Sequence, residues 1–161
     1  VREADYGFGE LLRSREATDP KTVALRVLGT EACEVTVADL ARRTRAIARG
    51  VLGLVGGAPD AKVAILSENC LEAALCDLAC LSNGIVDLPL PANAVTEQVV
   101  FMLKHSGARV LLASDEEQVA KVLPSLPALP ELEQIVYRCI TVPAYGLQEL
   151  RRDLEEFITK A

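Results

Sequence analysis

The sequence predicts an α/β fold: a mainly parallel sheet with helices on both faces, made of βαβ repeats and preceded by an N-terminal helix and a short hairpin. Three observations lead there. Short apolar runs at Lys62–Leu66, Ile85–Leu88, Arg109–Ala113 and Ile135–Tyr137 lack polar alternation, as strands covered on both faces do. Helical-period stretches lie between them, the order expected of βαβ units and a parallel sheet. Half the residues are hydrophobic, but only 4% are aromatic and Trp is absent, so Val, Leu, Ile and Ala must build the core.

Asp5 to Arg15 mixes Leu11 and Leu12 with charge and reads as a short helix ahead of the Asp19-Pro20 turn signal. Thr22–Leu28 reads as a strand, and Gly29-Thr30 permits a turn into a second strand around Cys33–Val35. The clearest helix begins at Thr36, with Asp39 as capping-box partner. Val37, Leu40, Ala41, Thr44, Ile47, Ala48, Val51 and Val55 recur along it at helical spacing. Gly53, Gly56, Gly57 and Pro59 end it. After the run at Lys62, a helix is expected from about Asn69, with Glu72 in its first turn and its end at Asn83-Gly84. Pro89 and Pro91 should close the next strand, Thr96 open the next helix and Gly107 close it. Ser114 should cap a further helix, with Glu117 completing the box and Pro124 stopping it. The Pro-rich stretch Leu123–Pro130 is a short connection, and Leu147–Thr159 reads as a last helix.

The chain's 161 residues suit one domain, 1–161, with a real core. Its net charge of −6 opposes nonspecific nucleic-acid binding, which needs a basic face. No apolar run is long enough to cross a bilayer. An odd set of cysteines (Cys33, Cys70, Cys76, Cys80 and Cys139) with no tight pair argues against a disulfide framework and for the reducing cytoplasm. The chain opens on Val with no apolar signal region, and a piece of something longer is expected.

Motifs that carry chemistry are scarce. In open α/β sheets ligands bind beyond the carboxyl ends of the strands. Those ends carry Ser67, Glu68 and Asn69, then Pro89 to Asn93, then Ser114 and Asp115, then Arg138. Ser67, Asn69, Ser114 and Asp115 also stand where helix caps belong. No Gly-rich phosphate fingerprint follows a strand, and Gly7-Phe8-Gly9 lacks both the strand and the third glycine. Arg42, Arg43, Arg45 and Arg49 could form a phosphate patch or simply a solvated helix face; the second reading is preferred. His105 sits at a helix end, where a cation suits the dipole, and no nucleophile motif accompanies it. Cys76 and Cys80 share a helix face, but zinc wants four ligands, and a buried thiol acting as a small hydrophobe is the simpler account. No catalytic, cofactor-binding or metal residue is assigned.

Several blocks occur in order: Thr36-Val-Ala-Asp-Leu-Ala-Arg-Arg43, Lys62-Val-Ala-Ile-Leu-Ser-Glu-Asn69, Leu78-Ala-Cys-Leu-Ser-Asn-Gly84, Val86-Asp-Leu-Pro-Leu90, Glu97-Gln98-Val99 and His105-Ser-Gly-Ala-Arg-Val-Leu-Leu-Ala-Ser-Asp115. Together they resemble the N-terminal subdomain of the adenylate-forming superfamily, closest to its long-chain fatty acyl-CoA synthetases, from about Leu11 to the last helix. The resemblance implies a parent enzyme using ATP, Mg²⁺ and CoA. A carboxylate attacks the α-phosphate to give an acyl-adenylate and pyrophosphate, and the CoA thiol then displaces AMP. The family's phosphate loop, adenine-binding aromatic stretch, ribose-binding Asp and C-terminal Lys lie further along than this sequence reaches. The implied role is therefore scaffolding: a fragment that binds no cofactor itself and is not competent for catalysis alone. Its expected partners are the remainder of the parent polypeptide and a second copy in a dimer contact.

There are departures from the family pattern. Cys33-Glu34-Val35 replaces an aromatic before the helix at Thr36, Pro59-Asp-Ala-Lys-Val63 is shorter by one, Cys70-Leu-Glu-Ala73 replaces an Arg-Pro-Glu-Trp stretch, and Pro91-Ala92 stands for Tyr-Pro. They leave substrate class open. Two alternatives stay open with it: a stand-alone non-catalytic binding or dimerisation module, and an adenylation subdomain that loads a carrier protein. A cut piece should also expose apolar surface, self-associate or be only modestly stable.

Overall fold

The computed structural model describes residues 7–28, 32–56, 60–137 and 140–143. Helix α1 spans Phe8–Thr18, not Asp5–Arg15; helix-compatible residues continue until Pro20 restricts Asp19, whose N–H bonds back to the Arg15 carbonyl. Strands β1 (Val23–Val27) and β2 (Cys33–Thr36) form the expected antiparallel hairpin, with Arg26 opposite Glu34. Helix α2 (Val37–Val55) is capped by Thr36, whose hydroxyl accepts from the Asp39 N–H at 3.2 Å. The same hydroxyl donates to the Asp39 carboxylate at 3.0 Å, a local variant of the expected box. Val37, Leu40, Ala41, Thr44, Ala48, Val51 and Val55 are buried and Ile47 is half-buried, so the sequence stripe is the packed stripe. Gly56 ends the helix at φ +62°, a left-handed conformation that a side chain would strain.

Five strands follow: β3 (Lys62–Ser67), β4 (Val86–Pro91), β5 (Val110–Ala113), β6 (Gln134–Tyr137) and β7 (Ile140–Pro143), in the order β4-β3-β5-β6-β7. The first four are parallel, and β7 returns antiparallel along β6. The sequence reading has no strand at β7. Its four residues are too few for a periodicity signal, and pairing with β6 defines it. β4 runs through Pro89 and Pro91, not up to them. It is an edge strand, and residues two apart point their backbone nitrogens the same way. Both proline nitrogens can therefore face away from β3, where no hydrogen bond is lost.

Helix α3 (Leu71–Leu81) links β3 to β4, α4 (Thr96–Ser106) links β4 to β5, and α5 (Glu116–Val122) runs into a 3-10 helix at Leu123–Ala128. Two caps shift from the expected residue, whereas α4 opens at Thr96 as expected. Cys70, not Asn69, caps α3, its thiol accepting from the Ala73 N–H, because β3 extends to Ser67 and delays the helix. Asp115, not Ser114, caps α5, accepting from the Gln118 N–H at 3.0 Å, while Ser114 supports it from outside. Val95 precedes α4, so Thr96 is its first helical residue. The expected helix at Leu147–Thr159 lies outside the described residues.

Both sheet faces are covered. Ala64, Leu66, Leu111, Ala113 and Ile135 pack with Val99 and Leu103 of α4 and Val119 and Val122 of α5. Val63, Ile65, Val110 and Leu112 pack on the other side with Val51 and Val55 of α2 and Cys80 of α3. Adjacent strand residues serve opposite faces, and both faces are dry, so the strands show no polar alternation. Leu66, Leu111 and Ile135 are fully buried, each worth about 1.5–3 kcal/mol of transfer free energy.

Candidate functional site

The strand order places a topological switch at β3: one connection leads to β4 on one side, and a later one crosses to β5 on the other. The carboxyl end of β3 is therefore where this architecture leaves a crevice. A groove of about 790 Å³ opens there, walled by Leu25 to Val27 of β1 and the following Leu28, the start of α3 and the end of β4. Ser67, Glu68, Asn69, Pro89 and Pro91 line it, as strand-end reasoning foresaw. Ala92, Asn93, Ser114 and Asp115 do not line it, and Arg138 lies outside the described residues. Arg26 and Asp77 also line the groove and were not singled out from sequence. No local pattern marks them, since Leu25 and Arg26, neighbours on β1, both line the groove.

The polar groups of this crevice are largely committed to one another. The Ser67 hydroxyl donates to the Glu68 carbonyl at 2.8 Å and sits 3.5 Å from the Cys70 sulfur. Arg26 is held by Glu34 at 2.8 Å. Asp77 of α3, which lines the crevice, hydrogen-bonds Asp87 of β4, which does not. Burial first, and then the hydrogen bond and negative charge of Asp77, push the Asp87 carboxyl up to about 6. Beneath, burial and then the nearby acids push the Cys80 thiol up to about 12, so it stays protonated. Burial alone would raise Asp115. The Ser114 hydroxyl, the N–H groups of Gln118 and Glu117, and Lys121 outweigh it and hold that carboxyl below the usual range.

The described residues do not fit a nucleotide's phosphates. The groove offers Glu68, Asp77 and a single arginine already paired, with no glycine-rich run of backbone amides. The arginines of α2 do not converge either: Arg42 pairs with Asp39 at 3.1 Å, and Arg45 grips Glu16 of α1 through two bonds of 2.6 and 2.9 Å. No disulfide joins the described cysteines, and no group of three or more His, Cys, Asp or Glu among the described residues could hold a metal. His105 stacks on Phe101, with ring centroids 5.6 Å apart, on the outer face of α4, and does not line the groove with Cys70. Among the described residues, no histidine stands beside Ser67 or Cys70 in the crevice. No helix among the described residues is long and apolar enough to cross a membrane.

Fold and site thus define a class: a doubly wound α/β unit with a crevice at its topological switch point. The family described as AMP-binding enzyme matches residues 12–156, and the chain belongs to it. A long-chain-fatty-acid–CoA ligase of Mycobacterium bovis, FadD15, is 36% identical over 124 residues, which cover 74% of this chain and 20% of the ligase. The phosphinothricin tripeptide synthetase PhsB of Streptomyces viridochromogenes is 35% identical over 102 residues, covering 63% of this chain and 8% of the synthetase. Among solved structures, a long-chain-fatty-acid CoA ligase of Rhodopseudomonas palustris superposes with a TM-score of 0.70 at 24% identity, covering 83% of this chain and 33% of that one. The chain is a partial AMP-binding domain and spans about a fifth of the length of the ligase it matches.

Proposed function

We propose that the chain is the N-terminal scaffold portion of an ATP-dependent, AMP-forming acyl-CoA synthetase, which turns a fatty acid, ATP and CoA into acyl-CoA, AMP and pyrophosphate. On this reading the chain walls one side of the site and is not competent alone. The observation that carries it is the match to FadD15 across 74% of this chain but 20% of the ligase, joined to a crevice whose carboxylates, Glu68 and Asp77, outnumber its one arginine, already paired with Glu34. Groups that stabilise the charge of phosphoryl chemistry, preorganised amides, cations and a metal, would then come from the remainder of the parent polypeptide.

A second reading has one specific support. The likeness to PhsB suggests an adenylation subdomain that loads a carrier protein in place of CoA. Two measurements test these readings. Calorimetry of this chain with ATP and Mg²⁺ should give no binding heat; micromolar binding would overturn the scaffold reading. A chimera of FadD15 carrying this chain in place of its matching segment should form acyl-CoA from a long-chain fatty acid. A folded chimera that makes acyl-adenylate but transfers it only to a carrier protein would favour the second reading.

A further inference from the structure

We propose that the outer face of α4 is a two-fold contact between two copies of this chain. Val99 and Leu103 turn inward from α4 to the sheet. The opposite side presents Glu97, Gln98, Phe101, Lys104 and His105 to solvent. Phe101 is 66% exposed and Val95, just before the helix, 56% exposed. A lone surface leucine needs no explanation, but this aromatic borders an open groove of about 540 Å³ lined by Pro91, Ala94 and Met102.

The charge order along the helix identifies the occupant. Glu97 lies four residues before Phe101, and Lys104 and His105 lie three and four after it. At a rise of 1.5 Å per residue, acid and base stand about 6 Å to either side of the ring. If two such helices run antiparallel about their Phe101 residues, each Glu97 falls opposite the other's Lys104 and His105. An isologous contact requires this self-complementarity, and the chain supplies both halves. Neither Glu97 nor Lys104 has an ion-pair partner among the described residues. The two phenyl rings would meet at the two-fold axis, at the centre of the contact. One helix face buries less than the roughly 1,600 Å² of a standard interface, so the dimer is weak and concentration-dependent. This contact does not rest on the catalytic reading.

The test is sedimentation velocity of the 161-residue chain over a wide concentration range. A reversible monomer–dimer equilibrium is expected. Phe101→Asp should abolish it, and Glu97→Lys or Lys104→Glu should each weaken it on the order of tenfold. Mixing the two charge variants should restore association, because each heterodimer again pairs opposite charges. So should the double variant Glu97→Lys/Lys104→Glu, which inverts the pattern but keeps it complementary. All three positions are exposed, and unchanged circular dichroism verifies folding. A wild-type chain that stays monomeric throughout would overturn the proposal. So would a dimer indifferent to Phe101→Asp, or charge variants that fail to restore each other; those results would leave the face to another occupant, such as further polypeptide of the parent.

Discussion

Thr44 offers the most direct test of how α2 is held. It lies on the buried stripe of the helix at 1% exposure, and its hydroxyl has no hydrogen-bond partner among the described residues. Burying an unpaired hydroxyl costs about 1–3 kcal/mol. Thr44→Val replaces it with a methyl of similar shape, and the two residues have nearly equal helix propensity. The added methyl contributes up to about 0.8 kcal/mol of burial. A net stabilisation of about 1–2 kcal/mol is expected, raising Tm by about 2–4 °C per kcal/mol for a domain of this size. Thr44→Ser, which keeps the hydroxyl and deletes the methyl, should instead cost about 1 kcal/mol. Urea denaturation, read as a shift in midpoint at constant slope, measures both. If Thr44→Val destabilises by more than about 0.5 kcal/mol, the hydroxyl is paired in solution and the reasoning is wrong.

Asp87 predicts a pH dependence of definite sign. Its folded carboxyl titrates at about 6, above the ordinary 3.8, so the folded state holds a proton that the unfolded chain has released. Stability should therefore fall as pH rises from about 4 to about 6, by on the order of 1 kcal/mol once solvent screening of this half-exposed group is allowed for. Asp87→Asn, which keeps a donor toward Asp77, should remove that slope and be the more stable form at pH 7. Parallel slopes for the two proteins in chemical denaturation would sink the argument. Gly9 predicts a steric effect: a Cβ there would stand 2.7 Å from the Ser82 carbonyl oxygen, at the point where α1 crosses the end of α3. Gly9→Ala should cost about 1–2 kcal/mol despite alanine's better helix propensity. Gly53→Ala in α2, which meets nothing within 4 Å, should stabilise by up to about 1 kcal/mol in the same melting experiment.

How far the fold was legible depends on which interactions are local. The α2 stripe, the Gly56 and Gly107 helix ends and the four parallel strands were readable, because periodicity and left-handed turns act within a few residues. The Thr36 cap was readable, but those of α3 and α5 only to within one position. Ser67, Asn69 and Ser114 are all competent acceptors, and the strand lengths, set by neighbours across the sheet, decide which residue follows. β7 was invisible because four residues carry no period and its strand identity comes from β6. Of the crevice, the strand-end residues Ser67, Glu68 and Asn69 were legible from architecture, whereas Arg26 and Asp77 arrive from elements whose approach is a tertiary event. Gly9 is the sharpest miss. In sequence it looked like part of an incomplete phosphate motif, and in the structure it is a close helix contact.

The prolines of β4 also bear on how this chain behaves when crowded. The segment around Ile85–Leu90 is short, apolar and weakly charged, the composition that seeds cross-β stacking. Fibril growth on such an edge needs an unbroken row of outward donors for the next chain to read. At 89 and 91 that row carries ring carbons instead of N–H groups, so one flank of the strand is spent on β3 and the other cannot act as a template. Replacing both prolines would leave the folded sheet's hydrogen bonds unchanged while opening a surface on which like strands could nucleate.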